Sequence, residues 1–294
     1  MKLKNKNNKI QVAVLMLPGL LFFLIFTIYP ILKLLFMSFF EWDLGSLLNQ
    51  SFIGLDNYKN VLNDQYFHIA LENTVIYTLV TVPGQMIIGL FIALLINNIP
   101  KFQVSFRVSY YLPVITSWVI ASLIFRYIFN SEGLLNYFLN NILNVTNENI
   151  AWLDSRWGGM TVSMILGIWK GIGWNMVVFL AALQTIPKEL YEAAAIDGAG
   201  AFQQFVHVTL PGIRRSTLYA LVMLTIGGFA VYTSIEMLTG GAPAHQTEVL
   251  LTWMYFKAFT TGEFGYSAAL SFIIAFILAI LASIEFRLMK NIND

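Results

Sequence analysis

Long apolar runs separated by short polar segments dominate the pattern along this chain of 294 residues. Six of the runs are long enough to cross a bilayer, because about 20 consecutive apolar residues span its hydrocarbon core. They cover residues 11–37, 70–96, 108–129, 159–184, 217–238 and 266–284. The pattern predicts an all-α, polytopic membrane protein, with six transmembrane helices in a single domain at 11–294 after an N-terminal tail at 1–10.

The composition agrees with a protein that is solvated by lipid. Apolar residues make up 57% of the chain and charged residues 11%, against roughly half and about a quarter in soluble domains. The chain lacks cysteine, and its three histidines are far apart in sequence, so we expect no disulfide and no metal site. With a net charge of +1 and no basic aromatic patch, no nucleic-acid partner is expected.

The distribution of Lys and Arg predicts the orientation, because positively charged loops stay in the cytoplasm. The two termini and the second and fourth loops carry eleven basic residues, namely Lys2, Lys4, Lys6, Lys9, Lys101, Arg107, Lys188, Arg214, Arg215, Arg287 and Lys290. The other three loops carry only Lys59, Arg156 and Lys257. We therefore expect both termini and the fourth loop to face the cytoplasm.

The fourth loop, at 187–211, is the longest cytoplasmic connection and has the composition of a helix. Pro187 is suited to a helix start, and Glu189 and Glu192 lie favourably near the positive N-terminus of that helix. The alanines that follow propagate a helix, and Asp197-Gly198 indicates a turn or cap. A first short helix is therefore predicted up to a hinge near Gly198.

A second short helix is predicted after this hinge, running through Phe202 and Phe205 until Pro211 ends it. Phe202, Phe205 and Val208 recur every three residues and form an apolar face. A helix pair resting on lipid headgroups would need a polar face rich in Lys and Arg, yet this loop holds three acids and one lysine. Both environments remain open, and the charge favours a groove in a cytoplasmic protein.

The residues of this loop also carry a family resemblance. Three residues separate Glu192-Ala193-Ala194 from Gly198, and nine residues separate Gly198 from Val208. One further residue separates Val208 from Leu210-Pro211. This spacing resembles the EAA loop of permease subunits of binding-protein-dependent ABC importers, with Val208 in place of the usual Ile. Further segments resemble the maltose and glycerol-3-phosphate type of sugar permease, namely 52–58, 71–74, 167–173, 183–187 and 239–243.

The resemblance implies the type I importer architecture and a division of labour between subunits. It implies a non-catalytic transport subunit in a bacterial plasma membrane, paired with a second homologous permease, two ATPase subunits and an extracytoplasmic solute-binding protein. The chain contains no G-x-x-x-x-G-K-[ST] motif, so ATP and Mg²⁺ would be bound by the partner ATPases. The residues implied to couple to them are Glu192, Ala193, Ala194, Asp197, Gly198, Ala199, Phe202, Phe205, Leu210 and Pro211.

Lys170 is the charge placed deepest in a predicted span, about 16 Å below the outer end of its helix at 1.5 Å per residue. Charges within the membrane are costly and usually face a cavity or a partner. Two roles remain open for Lys170, a structural one such as capping carbonyls and contact with the transported ligand. Gly171 and Trp174 lie beside it, and sugars stack on aromatic rings, so both are candidates for the substrate path.

The fifth span supplies the other candidates for the substrate path. Tyr232 and Glu236 are four residues apart and should share a helix face, while the small Gly228 leaves room for a ligand. Gly228 and Val231 stand where the maltose-type pattern has polar amides, so maltose itself is not implied. For each of these aromatic positions, contact with lipid or core remains the alternative.

The loop after the fifth span is the expected contact for the binding protein. Thr239, Gly240, Gly241 and Pro243 form an irregular turn that could probe a binding-protein cleft, or could be an ordinary turn. Three functions are compared: an ABC permease for a sugar or for another small polar solute such as a glycerol phosphate, a secondary transporter, and a membrane scaffold. The absence of internal repeats disfavours the secondary transporter, and a scaffold does not require the cytoplasmic helix pair.

Overall fold

The computed structural model describes residues 6–43, 50–99, 101–146 and 148–290. Half of the predicted N-terminal tail, residues 1–5, lies outside the described residues, as do residues 291–294. The side chains of Lys6, Lys9 and Lys290, counted above for the orientation, also lie outside the described part, as do Lys2 and Lys4.

Helices account for nearly all of the regular structure. In chain order they are α1 Lys6–Phe23, α2 Tyr29–Met37, α3 Asp56–Asn63, α4 Gln65–Asn98, α5 Gln103–Ile115, α6 Trp118–Ile128, α7 Leu134–Tyr137, α8 Arg156–Leu183, α9 Lys188–Ile196, α10 Ala201–Gln204, α11 Leu210–Phe229, α12 Thr233–Leu238, α13 Leu250–Phe259 and α14 Phe264–Lys290. Segments Leu24–Ile28, Phe138–Ile142 and Phe205–Thr209 are π-helical. Two short strands, β1 Phe40–Glu41 and β2 Ser51–Phe52, pair antiparallel with Phe40 opposite Phe52.

The chain divides into two compact units, one formed by residues 1–64 and 254–275 and the other by residues 65–253 and 276–294. In the first unit, polar contacts join segments that are distant in sequence. The Asn57 side chain donates to the carbonyls of Ser38 and Phe40 at 3.0 and 2.9 Å. The Tyr266 hydroxyl donates to Asp64 at 2.6 Å, between α14 and the end of α3.

In the second unit, α4 and α8 pack along each other and α11 closes one end of their interface. Buried side chains from the three helices form one apolar cluster, with Ile96 from α4, Met176 and Phe179 from α8 and Ile213 from α11 each at most 1% exposed. Lipid is as apolar as these side chains, so close packing rather than the hydrophobic effect holds such helices together. This packing sets the frame for the polar residues described below.

The structure contains four helices that are long and apolar enough to cross a membrane among the residues it describes, and five if one bent pair counts as a single span. The four are Val14–Met37, Gln65–Asn98, Arg156–Leu183 and Phe264–Arg287. They coincide with the predicted spans 11–37, 70–96, 159–184 and 266–284. The prediction of an all-α membrane protein is therefore confirmed, and two of the six predicted spans need correction.

The predicted span 108–129 is a broken helix. Its halves, Gln103–Ile115 and Trp118–Ile128, meet at an angle of 91°. The break lies at Thr116 and Ser117, whose ψ angles of 146° and 138° are extended rather than helical. The prediction of one continuous helix was wrong here.

The predicted span 217–238 is also divided. Helix α11 ends at Phe229, and α12 begins at Thr233 after Tyr232 adopts φ −142° and ψ −66°. The pair Gly227-Gly228 directly precedes the end of α11, and glycine pairs are a common cause of helix breaks. This window is not among the helices that meet the length and composition of a span.

Asn73, which is fully buried in α4, holds the loop between α12 and α13 in place. Its amide nitrogen donates to the carbonyls of Gln246 and Glu248 at 2.8 and 2.7 Å. Its amide oxygen accepts from Arg156, at the start of α8, at 3.1 and 2.9 Å. Arg156 in turn pairs with Glu72 at 2.7 Å. One amide thus connects two long helices and a loop.

Replacing Asn73 with Leu, which has a similar shape, should destabilise the protein by about 2 kcal/mol or more, because it removes the donor to the buried Glu248 carbonyl and the acceptor of Arg156. The measurement is the thermal midpoint of detergent-solubilised protein, read as the fraction that stays monodisperse after heating. Asn141→Leu is the matched control, since Asn141 is exposed and makes a single long contact of 3.3 Å with Tyr137. Equal midpoints for the two variants would contradict the role given to Asn73.

Candidate functional site

A cavity of about 240 Å³ lies in the second unit, between helices that come from distant parts of the chain. Its walls come from α4, α5, α6, α8 and α11. The lining residues are Tyr77, Thr81, Gln85, Val114, Trp118, Gly167, Lys170, Gly171, Trp174, Leu224, Gly227 and Gly228. Four of the seven residues predicted for the substrate path, Lys170, Gly171, Trp174 and Gly228, are therefore brought together here.

Lys170 is 4% exposed and makes its polar contacts with the backbone. Its ammonium group donates to the carbonyls of Pro113 and Thr116 at 2.8 and 2.7 Å, and lies 3.4 Å from the Thr116 hydroxyl. It also lies 4.7 Å from the centre of the Trp118 ring, within the range of a cation–π interaction. The sequence left two roles open for Lys170. The contacts show that it caps carbonyl groups, whereas contact with a ligand stays a prediction.

Two amide side chains at the cavity were missed by the sequence analysis. Gln85 of α4 lines the cavity, and its Oε1 accepts from the Nδ2 of the fully buried Asn175 at 3.3 Å. Asn175 Nδ2 also donates to the Gly171 carbonyl at 3.0 Å. The sequence does carry a signal for them, because polar amides inside apolar windows are unusual, as is the charge of Lys170.

The absence of a side chain at Gly171 makes room for Gln85. A Cβ atom at Gly171 would lie 1.6 Å from Gln85 Oε1 and 2.5 Å from its Cδ. Every larger residue at this position would push the amide away. Gly171 is thus required by the close approach of α4, and it keeps the Gln85 amide at the cavity wall.

The other three residues predicted for the path, Val231, Tyr232 and Glu236, are not among the described residues that line this cavity. Val231 instead packs in a buried cluster with Tyr77 and Met160. Tyr232 directly precedes the short α12 and Glu236 lies within it, and the Glu236 N–H donates to the Tyr232 carbonyl at 3.0 Å. The break after Phe229 separates these residues from the helix that carries Gly228, and their role in the substrate path stays a prediction.

The cytoplasmic segment predicted at 187–211 begins with α9 and a glycine cap. Gly198 has a φ of +78°, in the left-handed region that glycine adopts without cost. The N–H groups of Ala199 and Gly198 donate to the carbonyls of Ala194 and Ala195 at 2.9 and 3.1 Å. This is the Schellman arrangement that ends helices at glycine, and it turns the chain after Asp197.

The helix that follows does not end at Pro211, contrary to the sequence-based prediction. Helix α10, the π-helical segment Phe205–Thr209 and α11 follow one another without interruption. The Leu210 N–H donates to the Phe205 carbonyl five residues earlier, and this wider turn accommodates the proline ring in the next position. The same combination occurs where the π-helical segment Leu24–Ile28 precedes Pro30.

Most of the residues expected to couple to an ATPase lie at the surface of this segment. Glu192 and Ala193 of α9 are exposed, as are Asp197 and Gly198 of the turn and Leu210 and Pro211 at the start of α11; Ala194 and Ala199 are half-buried. Ile196 is 86% exposed and Phe202 of α10 is 77% exposed. Phe205 is half-buried, and Val208 packs against the cluster shared by α4, α8 and α11. Of the predicted apolar face only Phe202 points fully outward, and the coupling role stays a prediction.

The loop predicted to meet the binding protein is tightly hydrogen-bonded. Thr239 Oγ1 and Thr247 Oγ1 lie 2.8 Å apart, and Thr247 Oγ1 donates to the Ala242 carbonyl at 2.8 Å. Gly240 and Gly241, which precede Pro243, both have positive φ. The loop is therefore a defined turn, and contact with a binding protein stays a prediction.

Comparison with known proteins agrees with this arrangement. The sequence model for the binding-protein-dependent transport system inner membrane component matches residues 10–293. The probable ABC transporter permease protein YurN of Bacillus subtilis (strain 168) is 35% identical over 287 residues, which are 97% of each chain. The arabinooligosaccharides transport system permease protein AraP of Halalkalibacterium halodurans is 34% identical over 279 residues, which are 94% of this chain and 86% of AraP.

The fold is similar to that of a chain in the crystal structure of a bacterial ABC transporter involved in the import of the acidic polysaccharide alginate. The TM-score is 0.85 with 23% sequence identity, and the match covers 98% of both chains. With the family match over residues 10–293, this chain belongs to the permease subunits of ABC transporters known as binding-protein-dependent transport system inner membrane components.

Proposed function

We propose that this chain is a permease subunit of an ATP-driven carbohydrate importer and forms half of its translocation pathway, beside a second, homologous permease. The observation that carries the proposal is the cavity, in which the Gln85 amide and the Trp174 ring lie on neighbouring helices. Amides match the donor and acceptor pattern of sugar hydroxyls, and aromatic rings match their C–H faces. The 34% sequence identity with a permease named for the transport of arabinooligosaccharides supports the same substrate class.

The cytoplasmic segment supports coupling to a partner ATPase, which would bind the ATP and Mg²⁺. It presents exposed apolar side chains, Leu190, Ile196 and Phe202, on short helices outside the packed core, as expected of a helix received by a groove. The continuous helix from Ala201 to Phe229 then leads from this segment to the cavity, because Leu224, Gly227 and Gly228 line the wall near its far end. Motion of the segment would thus move one wall of the cavity.

In this proposal the protein lies in a bacterial plasma membrane with both termini in the cytoplasm. The loop containing Thr239 and Pro243 then faces the opposite side, where a solute-binding protein would deliver the sugar. This loop is attached through Asn73 to α4 and α8, and both helices also line the cavity. The attachment supports a role for the loop in transmitting contact with the binding protein to the cavity.

Purification of this chain through a tag, in mild detergent, tests the proposal. We expect it to co-purify with a second permease and an ATPase that contains a Walker motif. The reconstituted complex should accumulate an oligosaccharide chosen by a binding panel on the solute-binding protein, and only with ATP. Uptake without ATP by a homodimer of this chain would contradict the proposal.

Gly198 should be sensitive to backbone conformation rather than to size, since no atom lies within 4 Å of the position a Cβ would take. Gly198→Val should uncouple ATP hydrolysis from uptake, because a β-branched residue is strained by about 1–2 kcal/mol or more at positive φ. Gly198→Asn, which tolerates this conformation, is the matched control. Both are measured as sugar transported per ATP hydrolysed in proteoliposomes, and an unchanged ratio in Gly198→Val would refute the role of this turn.

Gln85 is expected to contribute to sugar affinity. Gln85→Met keeps the length of the side chain but removes the amide, so the KM for uptake by the complete transporter should rise about tenfold, the equivalent of one hydrogen bond. Thr81→Val is the control at the same wall, since the Thr81 hydroxyl already donates to the Tyr77 carbonyl at 2.7 Å. A KM that rises equally in both variants would place recognition elsewhere.

A further inference from the structure

The break between α5 and α6 creates a problem of hydrogen bonding inside an apolar span. The last carbonyl groups of α5 have no partners within that helix, because the chain leaves the helical conformation at Thr116 and Ser117. Water is excluded from the hydrocarbon, where an unsatisfied carbonyl costs several kcal/mol. Side chains near the break must therefore supply donors, and the Thr116 hydroxyl itself donates to the Pro113 carbonyl at 2.7 Å.

Lys170 supplies two further hydrogen bonds from α8. Its ammonium group reaches two carbonyls, one from inside α5 at Pro113 and one from the break itself at Thr116. These contacts link residues that lie more than fifty positions apart in sequence. The described residues contain no carboxylate within ion-pair distance of this ammonium group, so its charge is balanced by carbonyl dipoles and by the Trp118 ring.

The same contacts lie at the wall of the cavity. Val114, at the end of α5, and Trp118, at the start of α6, line it on either side of the break. Lys170 lines it as well. The position of this wall therefore depends on the angle between α5 and α6, and that angle depends on the ammonium group that contacts both halves.

We propose that Lys170 is a positioning residue, which holds α5 and α6 at their 91° angle and so fixes the shape of the translocation cavity. The proposal rests on the proposed transport function, because it assigns to Lys170 the control of one wall of that path. The charge acts through the backbone of the broken span rather than by binding the solute. Opening of this wall then requires the ammonium group to leave the two carbonyls or to move with them.

The angle can be measured directly, because the chain contains no cysteine. Val104→Cys on α5 and Ile124→Cys on α6 introduce two labels at positions that are 72% and 53% exposed. Pulsed electron paramagnetic resonance on the full chain in lipid nanodiscs, as it is purified with its partners, then gives the distance distribution between the two halves. No solute is needed for this readout.

Lys170→Met removes the charge and all three donors while keeping the length of the side chain. We expect a second distance population to appear or grow about tenfold or more relative to the first, since charge-assisted hydrogen bonds of this kind shift equilibria by at least that factor. Lys170→Arg should restore the single distribution, because it retains charge and donors. Lys101→Met, which removes the charge of an exposed lysine, is the control for the loss of charge alone.

Should Lys170→Met fail to yield folded protein, Lys170→Gln keeps one donor group and should give an intermediate second population. A distribution identical to wild type in the recovered variant would overturn the proposal, as would failure of Lys170→Arg to restore it. The absence of sugar uptake would contradict the proposed function. The distances between the two spin labels would still test the positioning role of Lys170, because they are measured without a solute.

Discussion

The structure depends on one constraint above others: inside lipid, each backbone N–H and C=O group needs a partner within the protein. The long helices α4 and α8 meet it through their own hydrogen bonds. The broken pair α5 and α6 cannot, and side chains supply donors at the break. The ammonium group of Lys170 donates to the Pro113 and Thr116 carbonyls at 2.8 and 2.7 Å, and the Thr116 hydroxyl also donates to the Pro113 carbonyl. A buried charge that would otherwise be costly becomes the group that allows an irregular backbone beside the cavity.

Two buried asparagines of the second unit also join segments through their side-chain amides. Asn73 links α4, α8 and the loop between α12 and α13, and Asn175 links Gln85 to the Gly171 carbonyl. Both asparagines are fully buried. These amides therefore join two long helices, a loop and one residue of the cavity wall.

The sequence alone predicted the long helices and the turn at Gly198, because local composition and the conformational preference of glycine determine the structure there. It did not predict the structure where contacts with residues distant in sequence determine the backbone conformation. Pro83 and Pro113 occupy similar apolar windows, yet Pro83 lies inside the unbroken α4 while Pro113 lies just before a break that Lys170 stabilises from α8. Tyr232 and Glu236 lie off the helix that carries Gly228, because α11 ends at Phe229 directly after the Gly227-Gly228 pair, and periodicity alone does not reveal that break. Gln85 was overlooked although its residue type was a sufficient signal.

The π-helical segment Phe205–Thr209 bears on how this chain can vary in length. Each residue of a helix turns the chain by about 100°, so gaining or losing one residue in this segment would rotate everything beyond it by that angle. Gly227 and Gly228, which line the cavity from the far end of the same helix, would then face another direction. Insertions in the loops between helices leave the helix faces unchanged, whereas an insertion in segment 205–209 would re-aim the residues that line the cavity, although the segment lies at the opposite end of the helix.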